Sequence, residues 1–172
     1  MSIKKLLILV LIAAAAFYIF KVKGFNPFST RIKWDTVMYE LNGNKTTLEE
    51  LAGEKGTLIF TMGTWCPHCV REAQDLKSLT DFLRLHKIRI LFGVSGYTHD
   101  EIHNWVYKQD LPWDWKSFYW ENRFDEEFHI KKSVVPYLTA INRRGEIIYS
   151  KGAVLPANAL SEICLKLLKS NK

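Results

Sequence analysis

The sequence predicts an α/β domain in which a central mixed sheet is flanked by helices, preceded by an N-terminal β-hairpin and interrupted by a helical insertion before a closing hairpin. Three features predict it. Apolar runs of strand character alternate with amphipathic helical segments between Thr57 and Gln109, an order that implies parallel strands joined by right-handed crossovers. Two strand runs near the end of the chain meet across a glycine-containing turn, which implies an antiparallel pair. A last amphipathic segment closes the chain as a helix.

The elements follow in order. Val37 to Leu41 and Lys45 to Thr47 flank Asn42-Gly43-Asn44, a hairpin pattern, and Leu48 to Leu51 reads as a helical turn before Gly53 and Gly56. Thr57 to Met62 is a strand. From Pro67 to about His86, Val70, Ala73, Leu76, Leu79 and Leu83 recur at helical spacing and predict one amphipathic helix. Arg89 to Ser95 is almost continuously apolar, as a strand covered on both faces should be, and Thr98 to Gln109 predicts another helix. Trp105, Tyr107, Trp113, Trp115, Phe118, Tyr119, Trp120 and Phe124 crowd around Leu111-Pro112. These rings are expected to be mostly core with one or two exposed, although such density also suits a docking surface. Tyr137 to Asn142 and Glu146 to Ser150 form a hairpin across Arg143-Arg144-Gly145. In the terminal helix, Ala157 to Lys169, one stripe carries Leu160, Ile163, Cys164, Leu167 and Leu168, so Cys164 reads as a small core residue.

With 172 residues, 48% of them hydrophobic and 13% aromatic, the chain can bury one good core and carry an appendage. The net charge of +6 is spread along the chain without a basic cluster and interleaved stacking aromatics, which argues against nucleic acid as a partner. The appendage is N-terminal. Lys4 and Lys5 precede an uncharged run from Leu6 to Phe20, and Lys21 and Lys23 close it. Twenty residues from Ile3 to Val22 just span a bilayer if the flanking lysines snorkel. A cleavable signal peptide is the rival, with Ala14-Ala15-Ala16 as small residues, but Phe17 to Phe20 prolong the apolar stretch past them. The expected organisation is an uncleaved anchor at 1–23, a tether at 24–33 containing Asn26-Pro27-Phe28-Ser29, and a globular domain at 34–172. Lys4 and Lys5 favour export of the domain, whereas Lys21, Lys23, Arg31 and Lys33 weaken that charge argument. Only Cys66, Cys69 and Cys164 occur, in keeping with an oxidising compartment.

The chemistry concentrates in Trp65-Cys66-Pro67-His68-Cys69, delivered by a strand to the start of a helix. Two intervening residues let both sulfurs meet across the first helical turn, where a bridge can close and reopen. Pro67 suits that turn because it has no amide hydrogen to leave unpaired. Cys66 at the helix N-terminus is favoured as thiolate and is the expected attacking sulfur; Cys69, one turn inside, is the resolving sulfur. An imidazolium at His68 would stabilise the Cys66 thiolate further. Other readings of the pair are zinc with His99 and His103, an inert disulfide, and Cu(I) held by both thiolates with His86, His99, His103 or His129 as a third ligand. A c-type haem site is excluded, since Val70 and not histidine follows Cys69.

The strand, the Gly63-to-Cys69 turn, the helix behind it, and Val135-Pro136 ahead of a hairpin and terminal helix together resemble a thioredoxin fold. The resemblance covers Trp34 to Lys169 and points to the membrane-anchored TlpA/ResA/DsbE (ScsD-like) thiol-disulfide oxidoreductases of bacteria. It implies a protein disulfide oxidoreductase whose only redox group is the Cys66–Cys69 pair, with no further cofactor and no metal. It implies a cis Pro136 facing the cysteines, Glu72 as a proton-handling group, and a substrate-binding rim of Trp65, Val135, Pro136 and Gly152. Gly152 would let a partner's backbone approach. The implied partners are protein thiols and disulfides and a second membrane redox protein, and the implied location is the periplasmic face of a bacterial inner membrane, with one membrane pass. Departures from the pattern are informative. Phe60 stands where thioredoxins carry a buried aspartate, Gln74 where a proline often kinks the helix, and Tyr137 where threonine often follows the cis-proline. Pro67-His68 resembles the dipeptide of oxidising DsbA-like proteins, so scaffold and dipeptide point in opposite directions of electron flow.

Overall fold

The computed structural model describes residues 31–112, 114–121, 123–128, 134–152 and 154–171. Strands β1 (Val37–Tyr39) and β2 (Lys45–Thr47) form the predicted hairpin as a separate two-stranded sheet. Its turn places Gly43 at φ 83°, a left-handed conformation that glycine adopts without steric cost. Helix α1 (Leu48–Leu51) starts from a capping box: the Thr47 hydroxyl accepts from the Glu50 amide, and the Glu50 carboxylate accepts from the Thr47 amide.

The main sheet contains β3 (Gly56–Gly63), β4 (Ile88–Ser95), β5 (Lys116–Tyr119), β6 (Tyr137–Ile141) and β7 (Ile147–Gly152), in the spatial order β5-β4-β3-β6-β7. The first three are parallel, and β6 and β7 continue antiparallel. Side chains alternate along the strands between two buried clusters. Leu58, Phe60, Met62, Ile90, Phe92, Val94, Leu138 and Ala140 pack with helices α2 (Pro67–Lys77), α3 (Thr80–Leu85), α4 (His99–Gln109) and α6 (Ala157–Lys169). Ile59, Leu91, Tyr137 and Ile141 join Met38, Leu48, Leu51 and Phe118, together with Phe124 of α5 (Arg123–Glu127) and Phe128 just beyond it. The mixed α/β expectation is thus met, with both faces of the sheet covered.

Two elements differ from the reading of the sequence. The helix predicted from Pro67 to His86 is two helices, broken at Ser78 and Leu79. The cause is local: the hydroxyls of Ser78 and Thr80 donate to the carbonyls of Asp75 and Lys77, competing with the helical ladder. The aromatic stretch, expected only as an insertion with helical character, supplies an edge strand, β5, before the short helix α5. Trp105, Trp115, Phe118 and Phe124 are buried there, whereas Tyr107 stands exposed; Trp113 lies outside the described residues.

Cys164 is fully buried, and burial pushes its thiol pKa up to about 11, as suits a core residue. At the other end of the chain, the predicted anchor and most of the tether lie outside the described residues. No helix among the described residues is long and apolar enough to cross a membrane. Arg31 to Lys33, assigned above to the tether, already belong to the globule: Arg31 bridges to Glu146, the Ile32 amide donates to Gly145, and the Ile32 side chain is buried.

Candidate active site

Strand β3 ends at Gly63, and the chain turns through Thr64 and Trp65 so that Cys66 becomes the N-cap of α2. Cys66 Sγ accepts from the Cys69 amide at 3.1 Å, the bond a capping side chain makes to an otherwise unpaired helical amide. Pro67 occupies the first helical turn, where its missing amide hydrogen costs nothing. Cys66 and Cys69 are joined as a disulfide with their Cα atoms 5.3 Å apart, within the ordinary range for such bridges. Their environments differ: Cys66 keeps a little solvent access, and Cys69 has none. Pro67 and His68 are both exposed.

Pairing of β3 with β6 aligns Thr61 with Tyr137, so the start of β6 lies beside the end of β3. The Val135–Pro136 peptide bond is cis, and the Val135 carbonyl oxygen lies 3.7 Å from Cys66 Sγ. Pro136 is buried and Val135 half-buried. Gly152 ends β7 opposite Tyr137. A Cβ at Gly152 would meet Val134 Cβ at 3.0 Å and Tyr137 Cδ2 at 3.1 Å. The space left by the glycine is therefore bordered by Val134 and Tyr137 of the same chain.

Glu72 follows Cys69 by one helical turn and shares its face of α2. It is only 1% exposed, and neither carboxyl oxygen has a hydrogen-bond partner among the described residues. Burial pushes its pKa up to about 7; the nearby Leu155 amide favours the ionised form without reaching hydrogen-bonding geometry, and Asp75 opposes ionisation. The ring of Tyr149 is close enough that burial and the Glu72 charge together raise its pKa. Phe60, at the position of the thioredoxin aspartate, is core, stacked on Phe92 at a centroid distance of 5.9 Å. Glu72 is therefore the buried carboxyl of this helix face.

Trp65 packs over Gly63, which has no side chain to obstruct it, and remains 53% exposed. Its ring meets that of Tyr97 at 5.7 Å, and Tyr97 is 84% exposed. Tyr97 and Glu101 were not singled out from the sequence. A usable signal was Thr98-His99-Asp100-Glu101, a helix-capping pattern whose glutamate is free to reach another amide. Of the histidines weighed as metal ligands, His99 stacks on Tyr119, His103 Nε2 lies 2.8 Å from the Tyr119 hydroxyl, and His86 packs on Phe82. His129 lies outside the described residues, among which no group of three or more potential metal ligands occurs.

Comparison with known proteins agrees with this architecture. The family model described as AhpC/TSA matches residues 30–150 of the 172. None of the curated proteins matches the chain. Among solved structures, a thioredoxin-family thiol:disulfide interchange protein from Chlorobium tepidum superposes with a TM-score of 0.68 at 14% identity, over 80% of this chain and 96% of the other. The thioredoxin domain of a thiol-disulfide oxidoreductase from Bacteroides vulgatus gives 0.64 at 16% identity, over 81% and 98%. StoA from Bacillus subtilis gives 0.60 at 18% identity, over 75% and 95%. The fold is thioredoxin-like.

Proposed function

Because the chain belongs to the AhpC/TSA family and closes a cysteine pair at the head of a helix, we propose that it is a protein thiol-disulfide oxidoreductase. The observation that carries this reading is the asymmetry of the pair: Cys66 is a solvent-reachable N-cap beside a cis-proline, and Cys69 is buried behind it. In the reducing direction, the Cys66 thiolate attacks one sulfur of a substrate disulfide, and the other leaves as a thiolate that takes up a proton. Cys69 gives its proton to Glu72 and attacks Cys66. The Cys66–Cys69 bond forms, the second substrate thiol departs, and two electrons have passed to the substrate. In the oxidising direction the same steps run in reverse.

The narrower reading is a TlpA/ResA/DsbE-type protein held by its N-terminal apolar segment on the periplasmic face of a bacterial inner membrane, exchanging electrons with a second membrane redox protein. Its support is the uncharged run from Leu6 to Phe20 between lysines. The deciding experiment pairs reduction of insulin with reoxidation of reduced ribonuclease, for the wild type, Cys66→Ser and Cys69→Ser. Wild type should catalyse at least one reaction. Cys66→Ser should abolish it, and Cys69→Ser should trap mixed disulfides. Labelling of Cys66 by a membrane-impermeant maleimide in intact spheroplasts tests the location. Wild-type protein inert in both assays ends the proposal.

A further inference from the structure

Glu101 sits in the first turn of α4, outside the cysteine turn, yet its carboxylate binds two segments that shape the approach to Cys66. One oxygen accepts from the Thr64 hydroxyl, and the other accepts from the Tyr97 amide at 3.0 Å. Its own amide donates to Thr98 Oγ1 at 3.1 Å, which fixes the helix end from which the side chain reaches. Thr64 is followed by Trp65, and Tyr97 is the residue whose ring meets Trp65. The Thr64 amide also donates to the Ser95 carbonyl at 3.0 Å, and the Cys66 amide to the Gly63 carbonyl at 3.0 Å. The ends of β3 and β4 are thereby tied into one rim, with a single carboxylate bridging the two loops that carry its rings.

Two large exposed rings are in contact just ahead of a reactive sulfur, one packed over Gly63 and the other almost free of the protein. They present a rigid apolar surface to whatever docks at Cys66, and rings of few rotatable bonds lose little entropy on contact. We infer that Glu101 is a positioning residue that sets the Trp65–Tyr97 pair as a lip selecting polypeptides with an aromatic or large apolar side chain next to their reacting cysteine. The inference rests on the exchange activity proposed above and names the substrate chemistry at that site.

The test uses the full-length reduced protein and two peptides, identical except for Phe or Ser beside a single cysteine carried as a mixed disulfide with glutathione. Second-order reduction rates are read as the ratio of the Phe peptide to the Ser peptide, a quantity that partial loss of folded protein leaves unchanged. The wild-type ratio is expected to be about tenfold, the preference that one good aromatic contact supplies. Glu101→Ala and Tyr97→Ala should bring it close to one. Glu101→Gln, which keeps an acceptor for the Tyr97 amide and a partner for Thr64, should restore most of it, as loss of general stability alone would not. A wild-type ratio near one, or a ratio unchanged in Glu101→Ala and Tyr97→Ala, overturns the inference while leaving the exchange reading intact. A wild type that reduces neither peptide overturns the inference, and overturns the exchange reading as well only if the protein is also inert with insulin and with reduced ribonuclease. If Glu101→Ala does not fold, Tyr97→Ala decides alone.

Discussion

At the scale of single residues, Glu72 carries the clearest physical consequence. A carboxyl only 1% exposed and without a hydrogen-bond partner among the described residues is disfavoured as an anion, and burial pushes its pKa up to about 7 where an ordinary glutamate has 4.5. Between those values the native protein binds more protons than the unfolded chain, so ionisation of Glu72 lowers stability as pH rises through this window, and its effect levels off above about pH 7. The full difference is about 3 kcal/mol by the linkage relation. Glu72→Gln removes the ionisation while keeping the shape. Urea unfolding should therefore find the two proteins alike near pH 4 and the variant more stable by up to about 3 kcal/mol at pH 8. Equal stabilities at pH 8 would show that the buried carboxyl is not strained by its charge. A group retained at this cost, one turn from Cys69, fits a proton acceptor better than a structural residue.

At the scale of elements, packing of the insertion against the sheet is sharply testable at Gly93 in β4. A Cβ there would collide with the Trp120 ring and come within 3.0 Å of Phe118 Cζ, in a strand whose backbone offers no room to shift. Gly93→Ala should destabilise the protein by about 1–3 kcal/mol in urea melts, the usual cost of overpacking. No loss would mean that the β5 aromatics are loosely seated. The same region shows where sequence and structure part company. The apolar runs of Thr57–Met62 and before Ser95, and the stripe on Ala157–Lys169, made β3, β4 and α6 legible, because strands covered on both faces read as short continuous apolar runs and a helix covered on one face shows its period. Strand β5 was not legible. Lys116 to Tyr119 offers only four residues in a stretch where nearly every second position is aromatic, so helix, strand and docking surface give the same pattern. The break between α2 and α3 was hidden for another reason: the apolar spacing continues across it, and only the hydroxyl-to-carbonyl bonds of Ser78 and Thr80 reveal the interruption.

At the scale of the whole molecule, the cysteine turn was readable because its chemistry is written in five adjacent residues. The surrounding rim was not, since Val135 meets Cys66, and Glu101 and Tyr97 meet Thr64 and Trp65 ahead of it, only through the order of β3, β4 and β6 in the sheet. That arrangement also bears on the direction of electron flow. Placement of Cys66 as the N-cap of α2 favours its thiolate whatever the intervening residues are, and so stabilises the reduced protein. An imidazolium at His68, which is exposed, would add a second contribution, kept modest by solvent screening. With the helix end and a screened imidazole acting together, the reduction potential should lie between about −270 mV, typical of thioredoxin, and about −120 mV, typical of DsbA. Proline at position 68 is tolerated in the first turn of a helix, so His68→Pro removes the imidazole without unwinding α2. Equilibration against glutathione should then show a potential more reducing by about 30 mV, one tenfold step in the equilibrium constant, together with a higher Cys66 pKa from the pH dependence of alkylation. Identical potentials for the two proteins would leave the helix terminus as the only source of thiolate stabilisation and would withdraw the oxidant-like character assigned to the Pro67-His68 pair.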